Sequence, residues 1–452
     1  MNNNDTIFAL SSGHGKSGVA VIRISGENLF DVFSTFVFPH IGGVPAMPAG
    51  GVKPRNAYFT NLCDNNGDLI DQCLAIYFPA PHSFTGEDVI ELHTHGAPAV
   101  INAVFEHLTK LNMRMATPGE FSKRAFYNNK MDLADVDGLA ALLDAQTDIQ
   151  RKHALRSMMG FDSQIYNTWR NKMIEVSAYA AAILDYSPDD LPQNIGDTVR
   201  THAKQLFDEI GNALAQYKTA RSIRGGINVV LAGETNVGKS SIFNYIIGSN
   251  RAIVSDIAGT TRDVVSSTID IDGFMVNLSD TAGIRETEDT IENIGIERTM
   301  SEIENADIVL NVYTPDNVPN FEIYDSRIGP NPNIDIVNKS DTINIDDASK
   351  RYNTLYVSAK TGDGMEQLMN ALRHTIHEMF DGVESTVSVN ARTKTLLESA
   401  HNELAHAIDA GYNYDIFAEH TRRAADAIGK ILGTITASEV MDMTFGQLCL
   451  GK

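Results

Sequence analysis

The chain has 452 residues, with 36 basic and 58 acidic side chains that give a formal net charge of −22. This length predicts two or three domains rather than one core, and the acidic excess argues against a broad nucleic-acid-binding surface. Cysteines are too few for a disulfide framework, the amino terminus lacks a leader pattern, and no apolar run is long enough to cross a bilayer, so we expect a cytoplasmic protein outside the membrane.

Residues 1–117 predict a small α+β domain. Alternating apolar residues bounded by turn residues indicate strands, and two stretches with 3.6-residue spacing indicate helices. The strands are expected at 6–9, 19–25, 56–61, 72–78 and 88–94, and the helices at 28–36 and 99–111. Composition alone assigns no function to this region.

From residue 118 onwards the pattern changes to helical spacing, interrupted near Pro188 and Pro192. The expected helices cover residues 132–143, 149–184, 199–217, 391–409 and 416–434. We therefore predict one helical domain in two parts, 118–220 and 379–452, with a second domain at 221–378 inserted between them.

The inserted segment opens with a phosphate-binding loop. An apolar strand at 227–232 leads into Gly233-Glu234-Thr235-Asn236-Val237-Gly238-Lys239-Ser240-Ser241, and helical spacing follows. Glycines let the backbone turn its N–H groups towards phosphates, Lys239 reaches the β and γ phosphates, and the Ser240 hydroxyl is suited to bind Mg²⁺. This stretch predicts a nucleotide-binding site.

Three further motifs follow in the order expected for a GTPase, each at the carboxyl end of an apolar strand. Asp280-Thr281-Ala282-Gly283 can hold Mg²⁺ through water, Asn338-Lys339-Ser340-Asp341 can bind the guanine edge through its aspartate, and Ser358-Ala359-Lys360 can support the base. Strands that alternate with helices, with motifs at the strand ends, predict a doubly wound P-loop GTPase domain.

Four stretches together resemble a known family. They are Ser83-Phe84-Thr85-Gly86-Glu87-Asp88, Pro118-Gly119-Glu120-Phe121-Ser122-Lys123-Arg124-Ala125-Phe126, Asp256-Ile257-Ala258-Gly259-Thr260-Thr261-Arg262-Asp263 and the ending Cys449-Leu450-Gly451-Lys452. In this combination the chain resembles the MnmE (TrmE) family of tRNA modification GTPases over all its domains. The resemblance implies a multidomain α/β and α+β fold, with an α+β folate-binding and dimerisation domain, a discontinuous helical domain and an inserted Ras-like GTPase domain.

The same resemblance implies an activity, cofactors and partners. Such a protein acts with a flavin-dependent partner, MnmG, to add an aminomethyl or carboxymethylaminomethyl group to C5 of the wobble uridine in certain tRNAs. A tetrahydrofolate derivative, in the 5,10-methylene or 5-formyl form, supplies the one-carbon unit, and hydrolysis of GTP to GDP drives rearrangement of the complex. The implied assembly is a homodimer that joins MnmG in a heterotetramer, where the partner holds most of the tRNA.

The residue after the Asp-Thr-Ala-Gly motif is Ile284, where Ras-like GTPases have a glutamine that orients the attacking water. Isoleucine cannot do this, so another group must. The acidic segment 285–297 offers several candidates that the sequence alone does not separate. The resemblance selects Glu292, which would act in catalysis together with Lys239.

Charge that develops during hydrolysis also needs a positive partner, and Arg262 and Arg285 are candidates for an arginine finger. The resemblance implies instead a potassium ion, and it implies Mg²⁺ bound by Ser240 and Thr261. The potassium ligands would be Asn236, Ser255, Ile257 and Thr260. Relatives carry threonine at position 255, a difference of little effect if the ligand is the backbone carbonyl. We expect faster GTP hydrolysis in potassium than in sodium.

The GTP-binding set implied by the motifs and the resemblance combines the phosphate loop, the segment after residue 254, the Asp-Thr-Ala-Gly motif and the two guanine-binding motifs. Its members are Asn236, Val237, Gly238, Lys239, Ser240, Ser241, Ser255, Asp256, Ile257, Ala258, Gly259, Thr260, Thr261, Asp280, Thr281, Ala282, Gly283, Asn338, Lys339, Asp341, Ser358, Ala359 and Lys360.

The folate-binding residues implied by the resemblance are Arg23, Glu91, Lys130 and Lys452. A carboxylate can pair with the pterin edge, and a cation suits the anionic glutamate tail. Without the resemblance, Arg23 and Glu91 would be interpreted as exposed strand charges. Three histidines, His82, His93 and His95, resemble a metal site, but this is the weaker interpretation because zinc needs further ligands.

A different class of function stays open: a non-modifying GTPase switch, such as a ribosome-assembly factor, would share every GTPase motif. Such proteins usually add a basic RNA-binding module, which the acidic balance disfavours. Cys449 could be a nucleophile or a structural residue, since nucleophilic catalysis would require a nearby base.

Overall fold

The chain forms two compact units, each composed of separate stretches of sequence. The first comprises residues 1–140, 158–170 and 425–452, and the second comprises 141–157 and 171–424. The computed structural model describes residues 5–37, 40–41, 44–45, 52–64, 66–187, 189, 191–253, 265–280, 301–317, 332–343, 354–381 and 387–434.

A six-stranded sheet forms the centre of the first unit. The elements of this part are β1 (Ile7–Leu10), β2 (Ser17–Gly26), α1 (Phe30–Val37), β3 (His40–Ile41), β4 (Val44–Pro45), β5 (Tyr58–Cys63), β6 (Leu69–Phe78), β7 (Asp88–Gly96), α2 (Pro98–Lys110), β8 (Arg114–Met115) and α3 (Glu120–Tyr127). The strand order is β5-β6-β7-β2-β1-β8, and all neighbours are antiparallel except β1 and β8. This is the α+β architecture expected from the sequence.

The two faces of this sheet have different roles. On one face, apolar residues such as Ile24 and Ile90 are buried with Phe33 of α1 and Val104 of α2. Because side chains alternate between faces, the residues between them point the other way. There Arg23 of β2 lies directly opposite Glu91 of β7 in the strand register.

A second sheet and most of the helices form the second unit, with some helices shared between units. Their bounds are α4 (Leu133–Asp144), α5 (Asp148–Met158), α6 (Phe161–Asp185), α7 (Ile195–Ala215), α8 (Tyr217–Gly225), β9 (Ile227–Ala232), α9 (Lys239–Ser249), β10 (Arg251–Ala252), β11 (Val265–Ile271), β12 (Phe274–Asp280), β13 (Ile308–Tyr313), β14 (Asn333–Val337), β15 (Thr354–Tyr356), α10 (Met365–Met379), α11 (Ala391–Asp409) and α12 (Tyr414–Leu432).

The second sheet has the order β10-β11-β12-β9-β13-β14-β15. Strands β12, β9, β13, β14 and β15 are parallel, and β10 and β11 form an antiparallel edge. Strand β9 is buried on both faces: Val229 packs with Ile242 of α9 and Leu368 of α10, while Val230 packs with Ala306 and Val309. The parallel strands therefore end at one edge, where ligands of such sheets bind.

Helices α6, α7, α11 and α12 share a core in the second unit that includes Val176, Val199, Ala407 and Phe417. The start of α11 is fixed by a capping box: the Asn390 side chain accepts from the Thr393 N–H at 2.8 Å, and the Thr393 hydroxyl accepts from the Asn390 N–H at 2.7 Å. Across the described ranges, none of the helices is both long and apolar enough to span a membrane.

The structure differs from the sequence expectations in several elements, including the following three. The helix expected at 149–184 is divided into α5 and α6, because Gly160 adopts a left-handed backbone with φ of +87°. After α7, a further helix (α8) runs directly into β9. Strands β11 and β13 are not among those expected, although β13 is almost completely buried in the sheet.

Candidate functional site

The phosphate loop connects the end of β9 to the start of α9. Gly233 has φ of +147° and Gly238 has φ of +99°, and a Cβ on either would collide with a neighbouring strand or with Asn338. Asn236 also has a positive φ, of +63°. These conformations favour glycine or asparagine. The loop thus ends at the amino terminus of α9, where free N–H groups and the helix dipole favour an anion.

Lys239 is held inside this loop and is only 4% exposed. Its Nζ donates to the carbonyl oxygens of Gly233 at 2.8 Å and Glu234 at 2.7 Å. Burial lowers the pKa of Lys239, and the nearby Asp280 carboxylate opposes that shift. The ammonium group is therefore already directed into the loop, where phosphate oxygens could replace the two carbonyls.

Asp280 ends β12 beside the loop and is buried. The Ser240 hydroxyl donates to its Oδ2 at 2.7 Å. A hydroxyl and a carboxylate are hard oxygen donors, which fit Mg²⁺. Nowhere in the described ranges do three His, Cys, Asp or Glu side chains form a possible metal cluster.

The two motifs predicted to bind guanine meet at the ends of β14 and β15. Asn338 donates its Nδ2 to the Val237 carbonyl at 2.9 Å and accepts at Oδ1 from the Ala359 N–H at 3.1 Å. The Ser358 hydroxyl donates to Asp341 Oδ1 at 2.7 Å, and this hydrogen bond lowers the pKa of Asp341. An ionised, exposed carboxylate is thus fixed in position to accept hydrogen bonds from a guanine edge.

Lys339 completes the link between base site and phosphate loop, since its Nζ donates to the Asn236 carbonyl at 2.8 Å. The structure thereby brings together the described members of the predicted GTP set. The other members lie outside the described residues: Ser255, Asp256, Ile257, Ala258, Gly259, Thr260, Thr261, Thr281, Ala282 and Gly283, together with the predicted catalytic Glu292 and the folate candidate Lys452.

One contact of the phosphate loop is missed by the sequence analysis. Asn317, in the short 3₁₀ helix Pro315–Asn317 after β13, donates its Nδ2 to Glu234 Oε2 at 2.5 Å. The loop is therefore attached to a third strand end besides β9 and β14. The only sequence signal for this contact is the acidic side chain of Glu234, which is unusual in a loop that is predicted to bind phosphates.

In the first unit, the folate candidates Arg23 and Glu91 bind each other. Arg23 donates Nε and Nη2 to Glu91 Oε1 at 3.0 and 2.9 Å, and the two side chains are only 17% and 18% exposed. The Arg23 guanidinium also lies 5.1 Å from the ring centre of Phe84 and 5.9 Å from that of Phe121. A ligand here would meet an ion pair beside two aromatic rings.

The loop Ser83–Asp88 beside this pair is fixed by Arg124, a residue that the sequence analysis does not single out. Arg124 Nη1 donates to Glu87 Oε2 and to the Asp5 carbonyl, both at 2.9 Å, and Nη2 donates to Asp5 Oδ1 at 2.7 Å. Glu87 Oε2 also accepts from the Ser25 hydroxyl at 2.8 Å. Two of the family-like stretches, 83–88 and 118–126, are thus joined by one guanidinium.

Lys130 lies at the same loop. A Cβ on Gly86, which has φ of +83°, would come within 2.7 Å of Asn128 Cβ and 3.2 Å of Lys130 Cε. Asn128 Nδ2 donates to the Thr85 carbonyl at 2.7 Å. The loop therefore borders both Lys130 and, through Phe84, Arg23.

The histidines form no metal cluster in the part of the chain that the structure describes. His95 donates or accepts at Nδ1 with Asp71 Oδ1 at 2.8 Å, and its backbone N–H donates to Asp71 Oδ2 at 2.8 Å. His93 Nε2 lies 3.5 Å from Glu91 Oε2. These pairings give no support to the zinc interpretation.

Comparison with known proteins supports the resemblance over the whole chain. Residues 6–130 match the family described as "GTP-binding protein TrmE N-terminus", and residues 133–449 match "MnmE helical domain". A tRNA modification GTPase MnmE from Brucella anthropi is 39% identical over 99% of this chain and 98% of its own length, and one from Agrobacterium fabrum is 38% identical over 99% of each chain.

A crystal structure of Era from Aquifex aeolicus, bound to GDP and AlF4⁻, matches 39% of this chain and 66% of its own at 22% identity. Its TM-score of 0.27 is too low to add to the family assignment. The two family matches and the near-complete coverage of the relatives are sufficient without it. The chain belongs to the MnmE family of tRNA modification GTPases.

Proposed function

We propose that this protein is a potassium-activated GTPase that acts with a flavin-dependent MnmG partner in tRNA modification. The product would be an aminomethyl or carboxymethylaminomethyl group on C5 of the wobble uridine, made with a one-carbon unit from tetrahydrofolate. The observation that carries the proposal is the sequence identity of 39% and 38% to two tRNA modification GTPases, in alignments that cover 99% of the chain. The folate-binding domain would cover residues 1–117, the helical domain 118–220 with 379–452, and the GTPase domain 221–378. The protein would be cytoplasmic.

For GTP hydrolysis, we assign nucleotide binding to residues that the structure describes. Asp341 accepts from the guanine edge, Lys239 neutralises the β and γ phosphates, and Ser240 with Asp280 supports Mg²⁺. We assign the remaining steps to residues outside the described ranges. Glu292 would orient water, Thr261 would add a Mg²⁺ ligand, and Ser255, Ile257 and Thr260 would join Asn236 around potassium. These two cations supply positive charge to the phosphates when they are bound.

For the folate cofactor, the donor set of the first unit is suitable. The Arg23–Glu91 pair offers both donors and acceptors at 17% and 18% exposure, which suits a pterin edge, and Lys130 or Lys452 could bind the anionic tail. The bound cofactor supplies the one-carbon unit. The chain's own residues hold and orient it, and the loop Ser83–Asp88 is fixed by Arg124 to do so.

The assembly we propose is a homodimer formed through the first domain, joined to MnmG. Phe59 of β5 and Leu74 of β6 are cross-strand neighbours, and they are 70% and 41% exposed. Exposed apolar neighbours on a sheet are typical of an interaction surface. The net charge of −22 supports an arrangement in which the partner holds most of the tRNA.

The test is mass spectrometry of nucleosides from bulk tRNA of cells with and without this protein. We expect the aminomethyl-type C5-substituted uridines to disappear without it and to return with the wild-type gene. If they persist while ribosome profiles change, the protein is instead a non-modifying GTPase switch, and the folate assignment is wrong.

A further inference from the structure

A largely buried polar network connects the amino-terminal ends of β9 and β13 to the middle of β12 in the nucleotide-binding sheet. These ends lie opposite the edge that carries the phosphate loop and Asp280. We call it the strand-base network and define it by Gln150, Ser222, Asn228, Asn277 and Asp307. Neither hydrolysis nor folate binding uses these residues.

Asp307, just before β13, connects two strands to helix α8. Its Oδ2 accepts from the Asn228 N–H at 3.0 Å and from the Ser222 hydroxyl at 3.1 Å, and its own N–H donates to the Asn228 carbonyl at 2.8 Å. The side chain is buried. The starts of β9 and β13 and the last turns of α8 are therefore fixed to one carboxylate.

Asn277 of β12 adds the third strand. Its Nδ2 donates to the Gly225 carbonyl at 2.9 Å and to Asn228 Oδ1 at 3.2 Å. Between α8 and β9 stands Gly226, with φ of +88°, where a Cβ would lie 2.7 Å from Asn277 Nδ2. The turn from α8 into β9 is thus so closely packed against Asn277 that it leaves no room for a side chain at Gly226.

Gln150 brings helix α5 into the network and is only 7% exposed. Its Oε1 accepts from the N–H groups of Gln146 at 2.9 Å and Thr147 at 3.2 Å, at the start of α5. Its Nε2 donates to the Arg224 carbonyl at 3.1 Å and lies 3.3 Å from Met275 Sδ in β12. The adjacent side chain of Ile149 packs against the core of the nucleotide-binding sheet.

We propose that Gln150 couples the nucleotide state of the sheet to helix α5. Strand β9 is about 20 Å long and runs from the strand-base network at Asn228 to the phosphate loop, while β12 passes the network at Asn277 and ends at Asp280. In this coupling a change in phosphate or Mg²⁺ contacts displaces these strand ends, and the hydrogen bonds of the network carry the displacement to Gln150. The segment 141–157 continues at both ends into the first unit. The displacement of α5 therefore reaches the first unit through the covalent chain.

This inference rests on the proposed function, because it supplies the link from GTP hydrolysis to the folate-binding unit. The test is hydrogen exchange of the full-length protein with GDP or with a non-hydrolysable GTP analogue, in Mg²⁺ and potassium. We expect amide protection in α5 to change between the two nucleotides by about fivefold or more. In Gln150→Met, which removes the donor and the acceptor, that difference disappears while GTP hydrolysis stays within about twofold.

A second variant, Gln150→Glu, is used if Gln150→Met fails to fold. It keeps the oxygen that accepts from Gln146 and Thr147 and loses the donor to the Arg224 carbonyl. It should also abolish the difference in α5 exchange between the two nucleotides. The control is Lys152→Gln, on the exposed side of the same helix, which should retain it. Equal α5 exchange with both nucleotides in the wild type, or a difference that survives in a folded Gln150 variant, overturns the inference. Unchanged uridines in cells lacking the protein would overturn the proposed function and leave the exchange result standing.

Discussion

At the proposed guanine end of the site, we expect base selection to depend on one carboxylate. Asp341 is exposed, is oriented by the Ser358 hydroxyl and is kept ionised by that hydrogen bond. It can accept from both N–H groups of guanine, while an amide in its place would present one donor. We predict that Asp341→Asn weakens GTP binding by about 2 to 3 kcal/mol, measured by calorimetry.

The same substitution should improve binding of xanthosine triphosphate, because xanthine carries a carbonyl oxygen where guanine carries an amino group. The control is Asp272→Asn, at an exposed carboxylate in the turn between β11 and β12, which should leave the affinity for GTP unchanged. Equal losses in the two variants would mean that Asp341 does not contact the base.

Asn236 provides a test of the potassium proposal at a single position. It stands in the phosphate loop with a left-handed backbone, and its carbonyl is already used by Lys339. Its side-chain oxygen is the proposed ligand, so GTP hydrolysis should be at least about tenfold faster in potassium than in sodium, a typical scale for a preorganised charge contact. Asn236→Ala should remove this preference, in steady-state assays at matched ionic strength. Equal wild-type rates in the two salts would contradict a potassium site.

At the scale of elements, Arg124 of α3 connects the loop Ser83–Asp88 to the amino-terminal segment. It is 11% exposed and bound to Glu87 and Asp5, so its removal leaves the partly buried Glu87 carboxylate without its cationic partner. We predict that Arg124→Met lowers the free energy of unfolding by about 3 kcal/mol in urea titrations and weakens folate binding, with GTP affinity unchanged. The control Arg422→Met, in an exposed ion pair with Glu419, should cost less than about 1 kcal/mol.

The amino-terminal ends of α4 and α6 meet at a group of carboxylates. Burial raises the pKa of Asp135 to about 6, and the charges of Asp132 and Asp162 add to the shift. Because the folded state favours the protonated form, this group contributes most to stability at low pH, and the contribution is lost as pH rises through about 6. Asp135→Asn should therefore stabilise the protein by about 1 to 2 kcal/mol at pH 8, after allowance for partial exposure.

At pH 3 the same variant should unfold at nearly the wild-type urea concentration, because Asp135 is then mostly protonated in both the folded and the unfolded chain. Asparagine retains an oxygen to accept from the Asp132 N–H, which binds Asp135 at 3.0 Å. A stabilisation that is equal at both pH values would show that the effect comes from packing and not from charge.

These elements also show what a sequence can predict. Local signals were sufficient for β9 and for α11, whose ends are set by the apolar run and by the Asn390–Thr393 cap. The phosphate loop was equally clear, because its glycines and lysine act within nine residues. Arg124 was not identified, because its partners are 37 and 119 residues away. Only the folded sheet brings such residues together.

For the whole molecule, charge is the property with the widest consequence. Residues 221–378 hold 24 acidic and 13 basic side chains, so about half of the net charge of −22 belongs to the GTPase region. We predict that the protein alone binds tRNA no tighter than about 1 μM at physiological salt, measured by fluorescence anisotropy. Addition of MnmG should strongly increase the affinity for tRNA. Nanomolar binding by this chain alone would contradict the proposal that the partner holds most of the tRNA.

The closely packed turn at Gly226 has a practical consequence for dissection of the protein. A fragment that starts at β9 would lose α8 and α5, and with them the partners of Asn277 and Asp307 and the apolar cover provided by Ile149. Buried polar groups without partners destabilise a fold. A minimal nucleotide-binding fragment should therefore begin before Tyr217 and be supplied with residues 146–158 in trans. The segment of chain that carries the GTPase motifs is thus shorter than the set of residues needed to keep it stably folded.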